Sequence, residues 1–165
     1  MSAVKQIIKT ITGYLVSPVI LSLILVLALG AAAIIDFYIL DLARRTFVFY
    51  TVNKGTVVVE DRMLKRADTK EGDIIRYSEE TLLGPVSPGV LPLFPKGTKL
   101  LSLLLRDGVV YANFSLDAEM PPLEGGTTVG NFQAFYNGIL RNFRYVNDVR
   151  FFIEGNAVYT EGFAR

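Results

Sequence analysis

The spacing of apolar and polar positions divides the chain into two unlike parts. Thr10 to Ile35 holds no charged residue, and its centre, Val16 to Ile35, is a run of 20 mostly aliphatic positions. A helix rises ~1.5 Å per residue, so such a run reaches roughly 30 Å, the thickness of bilayer hydrocarbon. Tyr14 before it and Phe37 and Tyr38 after it suit the two water–lipid interfaces. Pro18 falls in the first turn, where a helix accommodates it. The first reading is a single transmembrane helix over 16–35. A cleaved signal peptide is the second, with Ala31 and Ala33 at a small-residue cleavage site, though the run is long for one. A buried core helix is the third, and the lack of any polar face speaks against it.

After Asp36 the pattern becomes that of a folded domain. Residues 36–45 read as a juxtamembrane connector without a Gly/Ser linker. Thr46–Val52 is β-branched and aromatic and reads as a strand; Asn53-Lys54-Gly55 is a turn, and Thr56–Leu64 is a second extended segment. A helix over 74–83 is predicted, capped by Asp73 and stopped by Gly84 and Pro85. Pro85, Pro88, Pro92 and Pro95 then stiffen a long loop. Two apolar runs flank Asp107-Gly108, a strong hairpin signal over 100–116. Thr127 or Thr128 caps a second helix, in which Phe132, Phe135, Tyr136, Ile139, Leu140 and Phe143 form a wide apolar stripe. Val149–Ile153, a turn at 154–156 and Ala157–Phe163 close the chain as another hairpin.

The order predicts an α+β domain over 46–165: one mixed, mostly antiparallel sheet with two helices packed on it, preceded by the transmembrane helix. Lys5, Lys9 and the amino terminus nearly balance Arg44, Arg45 and Lys54 across that helix, so charge alone does not orient it. The tail 1–15 is too short to fold. It is expected in the cytoplasm, with the domain outside.

Composition narrows the chemistry. The chain has 17 basic and 16 acidic residues, and the part from Asp36 onward is close to neutral. A field that small argues against steering to nucleic acid or acidic lipid. Cysteine and histidine are both absent, which removes thiolate sites, disulfides and the commonest general base. Glu79-Glu80 are helix neighbours that do not face one another. Asp117, Glu119 and Glu124 lack the frame of a calcium loop. Asn113-Phe114-Ser115 matches a glycosylation triplet but sits in a predicted strand. Arg141–Phe152 interleaves arginine with aromatics, as the end of an amphipathic helix followed by a half-buried strand also would. No catalytic residue, cofactor or metal ligand emerges. The proline loop is first a fixed crossover; its apolar residues Val90, Leu91, Leu93 and Phe94 are candidate partner contacts, as are Arg141 and Arg144.

Three elements in order resemble the GerMN domain of bacterial sporulation and spore germination proteins. They are Leu82-Leu83-Gly84-Pro85, then Phe94 to Ser102 followed by Asp107-Gly108, and then Phe135–Leu140 with Val146–Val149 and Ile153-Glu154-Gly155. The resemblance covers roughly 46–159. The chain departs from it at Asn137-Gly138-Ile139-Leu140, in having one domain copy, and in an anchor that is a helix rather than a lipid. The resemblance implies an extracytoplasmic domain without a catalytic centre. It also implies a fold like that of ring-building modules, hence a structural or interaction role in a bacterial envelope complex. Protein partners, a homo-oligomer among them, are expected at the cytoplasmic membrane. A cell-wall binding module is the alternative, and an envelope enzyme the third reading.

Overall fold

The computed structural model describes residues 17–35, 41–51, 56–120, 127–159 and 163. Two compact units are present, residues 1–42 and 43–165.

The first unit contains helix α1, Pro18–Ile34, with Pro18 in its first turn as expected. None of its residues is buried, and Val19, Leu21, Leu25 and Leu29 are all exposed. At 17 residues it extends about 25 Å, short of hydrocarbon thickness. Among the described residues no helix is long and apolar enough to cross a membrane. A helix thus occupies most of the expected 16–35, but it is not one that is long enough to span. The tail 1–15, with Tyr14, lies outside the described residues, as do Phe37 and Tyr38.

The second unit is α+β, but it is built on two sheets, not one. β1 (Leu42–Thr51) lies between β2 (Val57–Lys65) and β3 (Val90–Leu91). β4 (Leu100–Arg106), β5 (Val109–Phe114), β6 (Asp148–Ile153) and β7 (Asn156–Val158) form the other sheet in that order. The proline loop contributes to the first sheet. It supplies β3, which pairs antiparallel with the end of β1 through Tyr50–Leu91 and Thr51–Val90. Pro88 and Pro92, which donate no backbone N–H, bracket this two-residue strand. β4 and β5 form the predicted hairpin. β5 and β6 run parallel, the connection carrying a 3-10 turn (Leu116–Glu119) and helix α3 (Thr128–Asn142). Helix α2 is Lys70–Leu83.

β1 starts four residues before the predicted strand, inside the expected connector. Ala43, Arg45, Phe47 and Phe49 occupy alternate positions facing inward, so the two-residue period runs straight through an arginine. α2 also starts earlier. The Thr69 hydroxyl accepts from the Gly72 N–H at 3.0 Å, capping the helix where Asp73 was expected to. At α3 the predicted cap is found: the Thr127 hydroxyl accepts from the Gly130 N–H at 3.0 Å.

Aromatic side chains fill the core. Phe47 stacks on Tyr77 at 4.7 Å, and Phe143 meets Tyr77 edge-on at 5.6 Å. Phe114 meets both Phe132 and Phe135 edge-on, and Phe132 contacts Phe151 at 4.9 Å. Such pairs add ~0.5–1.5 kcal/mol each beyond the area they bury.

Candidate functional site

The candidate contacts in the proline loop part company. Leu93 and Phe94 are 2% exposed and belong to the core. Phe94 stacks on Phe114 at 5.5 Å and meets Phe132 and Phe135 edge-on at 5.1 and 5.7 Å. A partner cannot reach either side chain in the folded domain, so neither is the exposed contact expected of it. Val90 and Leu91 are half-buried in β3. Loop residues are often surface-bound, but burying large apolar groups outweighed that tendency here.

What holds the loop is a charged cluster that sequence reading missed. The Glu60 carboxylate on β2 accepts from the backbone N–H groups of Val86 and Ser87 at 3.2 and 2.9 Å. Arg62, two residues along the same face, donates to Glu60 at 2.7 Å, to Glu80 at 3.3 Å and to the Gly84 carbonyl at 2.7 Å. Its guanidinium lies over Phe47 at 4.8 Å. Gly84 itself turns the chain at φ +89°, a region that favours glycine, and a side chain there would press on Pro92. Burial opposes ionisation of Glu60. Hydrogen bonds from Arg62, Ser87 and Val86 outweigh it and hold the carboxyl at about 2.

A second cluster organises the end of the domain where β1 begins. Asp73 accepts from the Ala67 N–H at 2.7 Å and from Arg45 at 3.2 Å. Arg45 also donates to the Asn142 carbonyl at 2.9 Å and covers the Phe143 ring at 4.3 Å. The Asn142 side chain closes the junction, accepting from the Thr46 N–H at 2.8 Å and donating to the Thr46 carbonyl at 2.7 Å. The end of β2, the start of α2, the start of β1 and the end of α3 are thereby joined. The signal that could have found both clusters is an arginine at an inward position of an alternating strand.

Arg141 and Arg144, the other candidate contacts, flank this junction and are exposed. Neither side chain hydrogen-bonds another described residue. Arg44, on the outer side of β1, pairs with Asp61 at 2.5 Å and is 71% exposed. The Arg44 guanidinium and the Thr46 hydroxyl lower the Asp61 carboxyl below its ordinary value. Lys65 and Lys70 are exposed at the same end; the Lys70 ammonium lies 5.1 Å from the centre of the Tyr145 ring, whose hydroxyl donates to the Lys70 carbonyl.

The other candidates are structural. Glu80 belongs to the Arg62 cluster, whereas Glu79 is exposed. Asp117 accepts from the Ser115 hydroxyl. Asn113 of the glycosylation triplet accepts from the Gly155 N–H in a strand-end contact. Glu124 lies outside the described residues. Among the described residues no three His, Cys, Asp or Glu side chains are grouped to hold a metal ion.

The two-sheet architecture with its helices defines an α+β domain tied together by these two clusters. The chain belongs to the Germane family, described as sporulation and spore germination, whose model matches residues 47–159. The fold is similar to the first GerMN domain of the sporulation protein GerM from Bacillus subtilis. That match has 19% identity and a TM-score of 0.55, covering 70% of this chain and 86% of that one. It is similar also to the tandem GerMN domains of the same protein, at 18% identity and a TM-score of 0.54. There it covers 75% of this chain but 44% of the tandem. No functionally curated protein matches the chain.

Proposed function

We propose that this protein is a non-catalytic, membrane-anchored scaffold whose single Germane domain sits outside the bacterial cytoplasmic membrane and joins a protein complex of the envelope. The observation that carries the reading is α1, apolar on every side and with no buried residue, in the same chain as a domain of this family. Water does not tolerate such a surface, and lipid does. The sequence carries no charge from Thr10 to Ile35, as a segment held in lipid requires. The tail 1–15 then lies in the cytoplasm.

The test is fractionation followed by protease treatment of spheroplasts. The full chain is expected in the membrane fraction, with its domain digested from outside. Crosslinking in intact membranes is then expected to trap a protein partner or a second copy. A chain recovered in the soluble fraction would overturn the reading. A cell-wall binding module is the second reading, favoured by Tyr111 and Phe152 on the open side of the four-stranded sheet. Their rings are 6.4 Å apart and only partly buried, a surface on which sugar rings can stack. Retention on purified peptidoglycan without a protein partner would select it.

A further inference from the structure

We infer that the end of the domain bearing Arg44, Arg141 and Arg144 is a docking surface for anionic lipid headgroups. The inference rests on the anchored reading above. A nearly neutral chain conceals it, because the total charge says nothing about where the charges lie. Burial sorts them here. Asp73 pairs with Arg45 at 3.2 Å and so does not offset the exposed cations, whereas Glu71 accepts from the Leu105 N–H at 2.8 Å and keeps its charge. Arg141 and Arg144 project from the last turn of α3 and just beyond it, and Arg44 from β1 beside them, where Arg141 also acts electrostatically on Asp61. Lys65 and Lys70 extend the patch. Asp61 also lies at this end and pairs with Arg44, whereas neither Arg141 nor Arg144 has an ion-pair partner among the described residues.

The base beneath these side chains is rigid. Arg45, Asp73 and Asn142 lock β1 to both helices, so the cations are presented from fixed backbone instead of a floppy tail. Residues 36–41 are all that separates Ile35 from β1, a tether of roughly 25 Å at full extension. A short tether raises the effective concentration of bilayer surface around the patch. Each cation near an anionic surface favours the docked state by about fivefold, an effect lost beyond a Debye length. Phosphate oxygens also match the guanidinium fork.

The absence of cysteine makes the test clean. The full chain carrying Asn137→Cys, exposed on α3 one turn before Arg141, is labelled with a fluorophore and placed in lipid nanodiscs. One set is phosphatidylcholine alone; the other holds one third phosphatidylglycerol; both carry a headgroup spin-labelled lipid as quencher. Quenching is expected in the anionic discs, and is expected to disappear at high salt. The variant Arg44→Gln/Arg141→Gln/Arg144→Gln is expected to lower the docked-to-undocked ratio by about a hundredfold. Unchanged circular dichroism would show that the variant folds. Equal quenching in both discs, or a variant that behaves like the parent, overturns the headgroup inference and leaves the anchor standing. A chain that fails to enter either disc overturns the anchor, and the inference with it.

Discussion

Gly138 lies in the middle of α3, where its lack of a side chain costs ~1 kcal/mol relative to alanine. The structure supplies the reason it is there. A Cβ at this position would sit 2.3 Å from the Tyr77 hydroxyl oxygen and 3.4 Å from the ring carbon bearing it. Tyr77 has little room to yield. It is 1% exposed, stacked on Phe47 at 4.7 Å, met edge-on by Phe143, and its hydroxyl donates to the Thr46 carbonyl at 3.3 Å. Overpacking of this kind costs ~1–3 kcal/mol. Gly138→Ala is therefore expected to destabilise by about 0–2 kcal/mol once the helix propensity gain is subtracted. Tyr77→Phe alone loses one hydrogen bond, about 1 kcal/mol. Combined, the two changes are expected to cooperate. With the hydroxyl gone, the nearest ring atom is at ordinary contact distance, and the alanine should stabilise by ~0.5–1 kcal/mol. Urea denaturation of the four proteins, followed by circular dichroism, gives a coupling energy of about 1–3 kcal/mol. If Gly138→Ala costs the same with and without the Tyr77 hydroxyl, the close approach is not what selects glycine.

Acid should loosen the proline loop through Glu60. Its folded value of about 2 lies below the ordinary 4.5, so its contribution is full above 4.5 and lost as pH falls towards 2. That difference is worth ~3 kcal/mol, and Glu60→Gln is expected to flatten the acid limb of a stability–pH curve. Phe94→Ala should cost ~3–5 kcal/mol in thermal unfolding, as a core residue would, whereas an exposed docking residue would change stability by less than ~0.5 kcal/mol. Thr127→Ala removes the α3 cap and should cost ~1 kcal/mol, with Thr127→Ser recovering most of it.

Much of the domain could be read from the chain because its signals are local. The Asp107-Gly108 hairpin, the Thr127 cap and the Gly84-Pro85 stop each depend on a few neighbouring residues, and each is found. The errors fall where distant contacts decide. Phe94 sits between two prolines in a segment with no periodicity, and only the arrival of Phe114, Phe132 and Phe135 from other elements makes it core. Val90 and Leu91 become a strand only because Tyr50 and Thr51 offer them a ladder, and two sheets replace the single one expected because β1 pairs with β2 and β3 and not with β4–β7. The basic end was obscured for a related reason: a charge total does not register which carboxylates are already committed to internal partners.

Two of those commitments follow one logic. The last carbonyls of a helix lack intrahelical partners and carry partial negative charge, so a cation is favoured there. Arg62 supplies one at the end of α2, donating to Gly84, and Arg45 supplies one at the end of α3, donating to Asn142. Each takes an inward position on a strand, lies over a core aromatic ring and is balanced by carboxylates nearby. Breaking such a partly buried set leaves an unpaired charge or carbonyl, so Arg45→Met or Arg62→Met acts on folding. Arg141 and Arg144 have no comparable internal work, so their replacement acts on association. Unfolding and lipid docking should then respond to different arginines. An Arg45→Met protein that docks poorly at full stability, or an Arg144→Gln protein that unfolds readily, would contradict this division of labour.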